Sequence, residues 1–476
     1  MRRSTTPFYS IDLGGAANPN GYVELVKAFL RPSEFRILAG GARAADEAGP
    51  ADEAGPAGGT LISLPSGLAL GGDRNEASRF LYEALSEATG RRPEWGILTG
   101  VRPVKLFGAL AAAGGGPEAA ARRLRDEYCL SERKIRLLSS IHGLQGRLAP
   151  APEDGGVGLY VGIPFCPTRC EYCSFPSSQA PYAAIEGYMA ALRREIGFVA
   201  EGMGRKGLYA ETLYVGGGTP TALCDADFDG LLALLRERFV FGGTVEFTVE
   251  AGRPDTFTPR KLESMARRGV SRVCINPQSM NPSTLGRIGR AHGPDEVRDA
   301  FRMAREAGLP AINADLIAGL PGESPGEFAS SLEELLDLGP ENITVHSLAM
   351  KRASRLKERD AEFPYGRAGD AEAMLCAAGG TLAGAGYEPY YLYRLKQAAG
   401  GLENTGYMRG GAFCLYNIRA MEESQTIVAL GAGAATKAVS LGGKRVERVF
   451  NASNHEVYTE RIDEMMERKR RLLFGA

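Results

Sequence analysis

The chain has 476 residues, enough for more than one core, since domains usually run about 100–200 residues. Its 56 basic and 57 acidic residues nearly cancel, so no overall field argues for nucleic acid or an anionic membrane. No apolar run approaches the ~20 residues of a membrane span, and MRRSTTPFYSIDLGG has no apolar stretch behind its arginines; a soluble, cytoplasmic protein is expected.

In chain order, residues 1–150 read as a small α/β domain. EFRILA and TLISLP are strand-like, and EASRFLYEALSEATG is an amphipathic helix. Between the strands, residues 41–59 (GARAADEAGPADEAGPAGG) repeat ADEAGP with no aromatic or β-branched side chain. Such a segment cannot bury enough surface to order itself, so a disordered insertion is expected. APAPEDGG marks a soft boundary before residue 155.

Residues 155–352 show a period of short strands and longer helices, the pattern of repeated βα units. The strand candidates are LYVGI, TLYV, TVEFTVE, SRVCIN, AINADLI and NITVHSL. Ile185, Tyr188, Met189, Leu192 and Ile196 form one helical stripe, and Phe228, Leu231, Leu232 and Leu235 another. Within the strands, Val245, Phe247 and Val249 alternate with Glu246, Thr248 and Glu250. Ile312, Ala314 and Leu316 alternate with Asn313 and Asp315, and Ile343 and Val345 with Thr344 and His346. A parallel sheet covered on both faces should be apolar throughout. The alternation therefore predicts an α/β fold whose curved sheet has helices outside and a polar interior, an open partial (β/α)6 barrel with its chemistry at the strand C-termini.

Of eight cysteines, Cys129, Cys224, Cys274, Cys376 and Cys414 are scattered and read as buried small apolar residues. The other three, Cys166, Cys170 and Cys173, lie in GIPFCPTRCEYCSF. Three thiolates can serve zinc or three irons of a [4Fe–4S] cluster. A structural zinc wants four ligands, and the next downstream histidine is the distant His292; a redox CxxC pair has no use for a third thiol. A cubane on three cysteines leaves one iron open to chelate a small molecule. The second strand runs into Gly216, Gly217, Gly218 and Thr219, a turn that permits close backbone approach.

The CxxxCxxC spacing with an aromatic residue before the last cysteine resembles the radical S-adenosylmethionine (SAM) enzymes. That resemblance implies a [4Fe–4S] cluster on Cys166, Cys170 and Cys173, SAM on the open iron, and reductive cleavage of SAM to a 5′-deoxyadenosyl radical. LYVGIPFCPTRCEYCSF, ETLYVGGGTPT, VEFTVEAGRPDT, RVCINPQSMNPSTLGRIGRAH and INADLIAGLPGE narrow the resemblance to the oxygen-independent coproporphyrinogen III oxidase group, which includes the haem chaperone HemW. LTGVRPVKLF, VHSLAMKRAS, PYYLYRLKQAAGGLENTGY and LYNIRAMEESQTIVALGAGA are similar to its HemZ branch.

The resemblance implies Tyr160 near the cluster, the Gly216–Thr219 turn at the methionyl amino group, and Glu250, Gln278, Arg290 and Asp315 around SAM. It implies oxidative decarboxylation of coproporphyrinogen III, with an electron donor such as flavodoxin or ferredoxin and an unidentified acceptor. Haem transfer without that activity, and radical chemistry on another tetrapyrrole, are the alternatives. Gly162 stands where many relatives have a histidine, and Phe175 where the oxidases carry a fourth cysteine.

Residues 353–476 read as an α+β extension covering the barrel mouth. Tyr387, Tyr390, Tyr391 and Tyr393 with Arg394 and Lys396 form either a platform for a carboxylated tetrapyrrole or a half-buried strand. TIVALGAGA is a buried strand ending in a glycine turn, and His346 is a further cavity candidate.

Overall fold

The computed structural model describes residues 7–16, 19–38, 59–65, 67–68, 73–173, 175, 177–349, 354–395, 399–440 and 445–475. The expected insertion, apart from Gly59, lies outside the described residues. Strands β1 (Tyr9–Asp12), β2 (Phe35–Leu38) and β3 (Thr60–Ser63) form a parallel sheet in the order β2-β1-β3. Sequence reasoning passed over β1, although Tyr9 and Ile11 alternate with Ser10 and Asp12. Helices Asn20–Phe29 and Arg74–Thr89 bury Leu25, Val26, Leu81 and Leu85 against Ile11 and Ile62. The second begins on the Asp73 carboxylate, which accepts Asn75 N, and stops at left-handed Gly90.

The main sheet contains β4 (Gly156–Ile163), β5 (Tyr209–Gly217), β6 (Glu246–Glu250), β7 (Arg272–Cys274), β8 (Ile312–Ala318) and β9 (Asn342–Ser347), each parallel to the next. Helices connect them. Tyr188, Met189, Leu192 and Ile196 of helix Tyr182–Arg205, with Phe228, Leu231, Leu232 and Leu235 of helix Asp225–Phe239, pack on Leu159, Val161, Leu213, Val215, Phe247 and Val249. Each such side chain contributes roughly 1.5–3 kcal/mol on burial. Along the same strands, Thr212, Thr248, Asn313 and Thr344 are buried polar residues on the opposite face. This is the open, helix-covered partial barrel with a polar interior that the strand alternation predicts. Val245 departs from that alternation, lying before β6 and 64% exposed.

The C-terminal third adds to the sheet, its strands continuing it at both edges. β10 (Glu388–Arg394) and β11 (Glu403–Met408) add antiparallel strands beside β9. β12 (Ile427–Leu430) pairs parallel with β4, followed by antiparallel β13 (Ala435–Ser440) and β14 (Arg445–Phe450). An open barrel leaves two strands with unpaired backbone groups, and these additions satisfy them. Helix Leu415–Glu422 enters against the start of β6, where Leu415 N donates to Glu246 Oε2 at 2.7 Å. The N-terminal part joins the extension through Glu403, which accepts Trp95 Nε1 at 2.8 Å and the Lys134 ammonium.

Of the scattered cysteines, Cys274 and Cys414 are buried, whereas Cys224 and Cys376 are exposed. Cys224 instead caps a helix, its sulfur accepting Asp227 N at 3.4 Å.

Buried Glu195 fixes the last helices to the barrel. It accepts Gly431 N at 2.8 Å, Tyr458 Oη at 2.6 Å, Asn451 Nδ2 at 3.0 Å and Lys469 Nζ at 2.7 Å. Both partners of the Glu195–Lys469 pair are essentially inaccessible to solvent. Lys469→Met should therefore leave an uncompensated buried carboxylate and lower stability by about 3–5 kcal/mol in chemical denaturation. A loss below about 1 kcal/mol, the range of a surface pair, would show that the pair does not hold the C-terminus.

Candidate functional site

β4 ends at Ile163, and the cysteine loop leaves from it. Two backbone bonds tie this loop to the turn after β5: Gly218 N donates to Ile163 O at 2.8 Å, and Thr219 N to Phe165 O at 2.7 Å. Gly217 sits at φ +114°, a conformation that disfavours side chains. A Cβ on Gly218 would meet Phe165 O at 2.6 Å and Cys166 Sγ at 3.0 Å. Thr219 Oγ1 lies 3.4 Å from Cys166 Sγ. Gly216 faces Glu250, whose carboxylate fills the space a Cβ would need.

The rest of the loop is fastened from below and from the side. Buried Arg253, just beyond β6, reaches Thr168 Oγ1 at 2.6 Å, Thr168 O at 3.2 Å and Cys170 Sγ at 3.9 Å, and Asp255 pairs with its guanidinium at 2.9 Å. Arg290 donates to Tyr172 Oη and to Gly252 O, both at 2.9 Å. Arg290 thus braces the aromatic residue between the second and third cysteines against the backbone after β6, a role the sequence did not signal. Glu171 is held by Ser354 Oγ and Leu356 N, each donating to its carbonyl at 3.0 Å. All three thiols are free. Burial pushes the Cys173 thiol up, and the neighbouring Cys170 and Cys166 thiols add to this.

Inside the barrel, Tyr160, Tyr214 and Tyr416 stack, with ring centroids 6.2 Å apart for Tyr160–Tyr214 and 4.6 Å for Tyr214–Tyr416. Tyr214 Oη donates to Glu250 Oε1 at 2.6 Å, and Gly217 N to Glu250 Oε2 at 3.2 Å. Burial pushes Glu250 up to about 7; the Tyr214 hydrogen bond opposes this and the Asp315 charge reinforces it. Asp315 accepts Asn313 Nδ2 at 2.9 Å and lies 3.5 Å from His346 Nε2. Burial pulls the His346 imidazole down, but Asp315 outweighs it and leaves it raised overall. His346 Nδ1 is 3.3 Å from both Asn404 Oδ1 and Tyr393 Oη.

Gln278 follows β7 in a left-handed conformation, φ 71°, and its buried Oε1 has no hydrogen-bond partner among the described residues. A buried amide without a partner costs free energy unless a ligand or water completes it. Of the tyrosine-rich strand, Tyr387 and Tyr390 are core residues and Arg394 packs over Trp95, 4.7 Å from the ring centroid. Tyr391 and Tyr393 alone meet the interior polar groups, Tyr391 Oη lying 3.2 Å from Thr344 Oγ1. Lys396 lies outside the described residues.

The arrangement brings the three thiols, the glycine turn, Glu250, Gln278 and Asp315 to the strand C-termini of one cavity. Residues 160–335 match the radical SAM superfamily. The chain is 36% identical over 403 residues to the oxygen-independent coproporphyrinogen-III oxidase-like protein HemZ of Bacillus subtilis, covering 83% of this chain and 80% of that one. The chain belongs to the radical SAM superfamily, in this coproporphyrinogen oxidase-like family. A haem chaperone, HemW of Escherichia coli, is 30% identical over 55% of this chain and 65% of its own length. A solved structure of coproporphyrinogen III oxidase (HemN) from Escherichia coli shares the fold, with a TM-score of 0.53 and 24% identity over 68% of this chain and 73% of that one.

As a radical SAM protein the chain takes a [4Fe–4S] cluster and SAM. The donor types suit them, three free thiols on one braced loop with an unpartnered buried amide oxygen and two carboxylates on the neighbouring strand ends, although among the described residues no three such ligands are already gathered closely enough to hold a metal ion. Among the described residues no helix is long and apolar enough to cross a membrane.

The raised Glu250 carboxyl has a measurable consequence. Its proton is favoured by the fold, so its contribution to stability is fully present below about pH 4.5 and is lost as pH rises through about 7. Glu250→Gln cannot ionise; its one amide oxygen can still accept from Gly217 N while its NH2 donates to the Tyr214 hydroxyl. In urea denaturation of SAM-free protein, the variant should lose less stability than wild type between pH 5 and pH 8, by on the order of 2 kcal/mol. Parallel pH profiles would show that Glu250 is not held against ionisation.

Proposed function

We propose that this chain converts propionate side chains of coproporphyrinogen III to vinyl groups. In this reading Cys166, Cys170 and Cys173 hold the cluster, the Gly216–Thr219 turn meets the methionyl end of SAM, and Glu250, Gln278, Arg290 and Asp315 surround it. The observation that carries the reading is the extent of the likeness to the coproporphyrinogen-III oxidase-like protein: 403 residues, well beyond the barrel.

Each conversion removes one hydrogen atom from the propionate β-carbon, one carbon dioxide and one electron. The cluster with SAM supplies the hydrogen-abstracting radical. The chain's own residues bind, orient and exclude water. Arg253 and Arg290 keep the cysteine loop from shifting, through Thr168 and Tyr172. Tyr214 and Gly217 fix both oxygens of Glu250, so this carboxylate is pre-positioned for a hydroxyl or ammonium donor on SAM. The Tyr160–Tyr214–Tyr416 stack packs inside the barrel beside Glu250, whose carboxylate Tyr214 Oη orients. His346 lies beside Asp315, which favours protonation of its imidazole against the opposing effect of burial. An acidic electron carrier of the flavodoxin or ferredoxin type would reduce the cluster, and a separate acceptor would take the final electron.

Haem delivery is the second reading. It is favoured by the likeness to HemW and by Phe175, 61% exposed where the oxidases carry a fourth cysteine.

The test is turnover followed by product mass. Anaerobically reconstituted protein, with reductant, SAM, an electron acceptor and coproporphyrinogen III, should give product with two successive losses of formic acid equivalents. SAM consumption should rise in proportion to the vinyl groups formed. Cleavage of SAM with intact coproporphyrinogen, together with stoichiometric haem binding, would overturn the oxidase reading in favour of the chaperone.

A further inference from the structure

Bracing the cysteine loop does not use all that Arg253 offers. Arg253 lies in VEAGRPDT, just past β6, and its backbone is fixed before the side chain begins: Thr256 N and Thr256 Oγ1 donate to Arg253 O at 3.0 and 2.7 Å. The planar guanidinium then presents two edges. At one, Nη1 donates to Thr168 Oγ1 and Thr168 O and lies 3.9 Å from Cys170 Sγ. At the other, Nε and Nη2 donate to Asp255 Oδ1 and Oδ2 at 3.0 and 2.9 Å.

The two bonds to Thr168 are enough to hold the loop. The contact with sulfur and the carboxylate behind the guanidinium add something else, an oriented pair of charges with its positive end toward Cys170 and its negative end behind. The pair is shielded from solvent. The Arg253 side chain is 4% exposed and that of Asp255 22%, and buried His292 covers Asp255 from a further side, with Nδ1 3.7 Å from Oδ1. Cys170 is buried as well. Water and salt screen charges weakly in such a place, so their sign and distance carry weight.

Hydrogen bonds to the sulfurs and the charge beside them are among the features that set the reduction potential of an iron–sulfur cluster. Reduction adds one electron. A fixed cation at a ligand sulfur favours that extra negative charge, and a carboxylate behind the cation opposes it.

We propose that Arg253 and Asp255 set the reduction potential of the cluster, Arg253 raising it and Asp255 limiting the rise. The proposal rests on the reading in which Cys170 is one of the three cluster ligands. Potential matters in both directions here: if it is too low the electron carrier cannot reduce the cluster, and if it is too high the reduced cluster cannot pass its electron to SAM. Arg290, a second guanidinium at this loop, donates to Tyr172 Oη and Gly252 O and is left in place in every variant below, so it does not contribute to the differences.

The test is an anaerobic redox titration of reconstituted, SAM-free, full-length protein, followed by the electron paramagnetic resonance signal of the reduced cluster, with iron and sulfide counted in each sample. Arg253→Gln leaves Asp255 without its cation. It should make the cluster about tenfold harder to reduce, the size of one charge-assisted hydrogen bond, which lowers a one-electron midpoint by about 59 mV. Arg253→Lys keeps the charge and should recover most of that shift. Asp255→Asn keeps the cation and should move the midpoint upward; it carries the test if Arg253→Gln binds no cluster. A purely mechanical brace would change iron content and leave the midpoint of the remaining clusters at the wild-type value. Unchanged midpoints, or a downward shift in Asp255→Asn, overturn the proposal. Cys170→Ala checks the ligand assignment separately: loss of iron and sulfide supports it whatever the midpoints do, and a full complement overturns both the assignment and the proposal.

Discussion

The site depends on two backbone hydrogen bonds, Gly218 N to Ile163 O and Thr219 N to Phe165 O. They join the ends of β4 and β5, neighbouring parallel strands whose register already aligns Gly162 with Gly216 and Ile163 with Gly217. The contact is possible only because residue 218 has no side chain: a Cβ there would collide with a backbone oxygen and crowd the first cysteine sulfur. Main-chain groups are the stiffest donors and acceptors in a protein, so a loop latched this way holds its thiols with little entropy left to lose when a cluster binds.

Everything else follows the same logic of strand ends presenting polar groups inward. Helices bury one face of each barrel strand, which frees the other for Thr248, Glu250, Asn313, Asp315, Thr344 and His346. Close packing of carboxylates in a buried cavity would be costly alone. Tyr214, Gly217, Asn313 and His346 offset that cost through specific contacts. The open barrel creates a second demand, two unpaired edges, which β10–β11 and β12–β14 meet. Because these strands come from the end of the chain, the buried Glu195–Lys469 pair and the Glu403 contacts to Trp95 and Lys134 make the C-terminus part of the same cooperative structure.

How far the sequence could be read varied with the range of the interaction. Period-two alternation in VEFTVE and INADLI was local, so the polar interior and the inward direction of Glu250 and Asp315 were legible. The spacing of Cys166, Cys170 and Cys173 was equally local. Arg290 and Gln278 were found through family likeness, but what they touch was not: Tyr172 Oη, 118 positions away from Arg290, carries no sequence signal. Arg253, Tyr416 and Asn404 were missed as site residues for the same reason, since each acts on a partner brought near only by the fold. The tyrosines of β10 were ambiguous because core and cavity residues share one strand, with Tyr390 facing inward to the core and Tyr393 toward His346. The sheet-extending role of β12 was hidden because an apolar run such as IVAL fits any buried edge.

The claim that the glycine turn positions the cysteine loop for a cluster is tested most directly by iron and sulfide content in Gly218→Ala. The account predicts that anaerobically reconstituted Gly218→Ala retains wild-type far-UV circular dichroism but loses most of its iron and sulfide, as Cys166→Ala should, because the added methyl group must displace Phe165 O and Cys166 Sγ. A full wild-type complement of iron and sulfide in Gly218→Ala, with unaltered SAM binding, would contradict it.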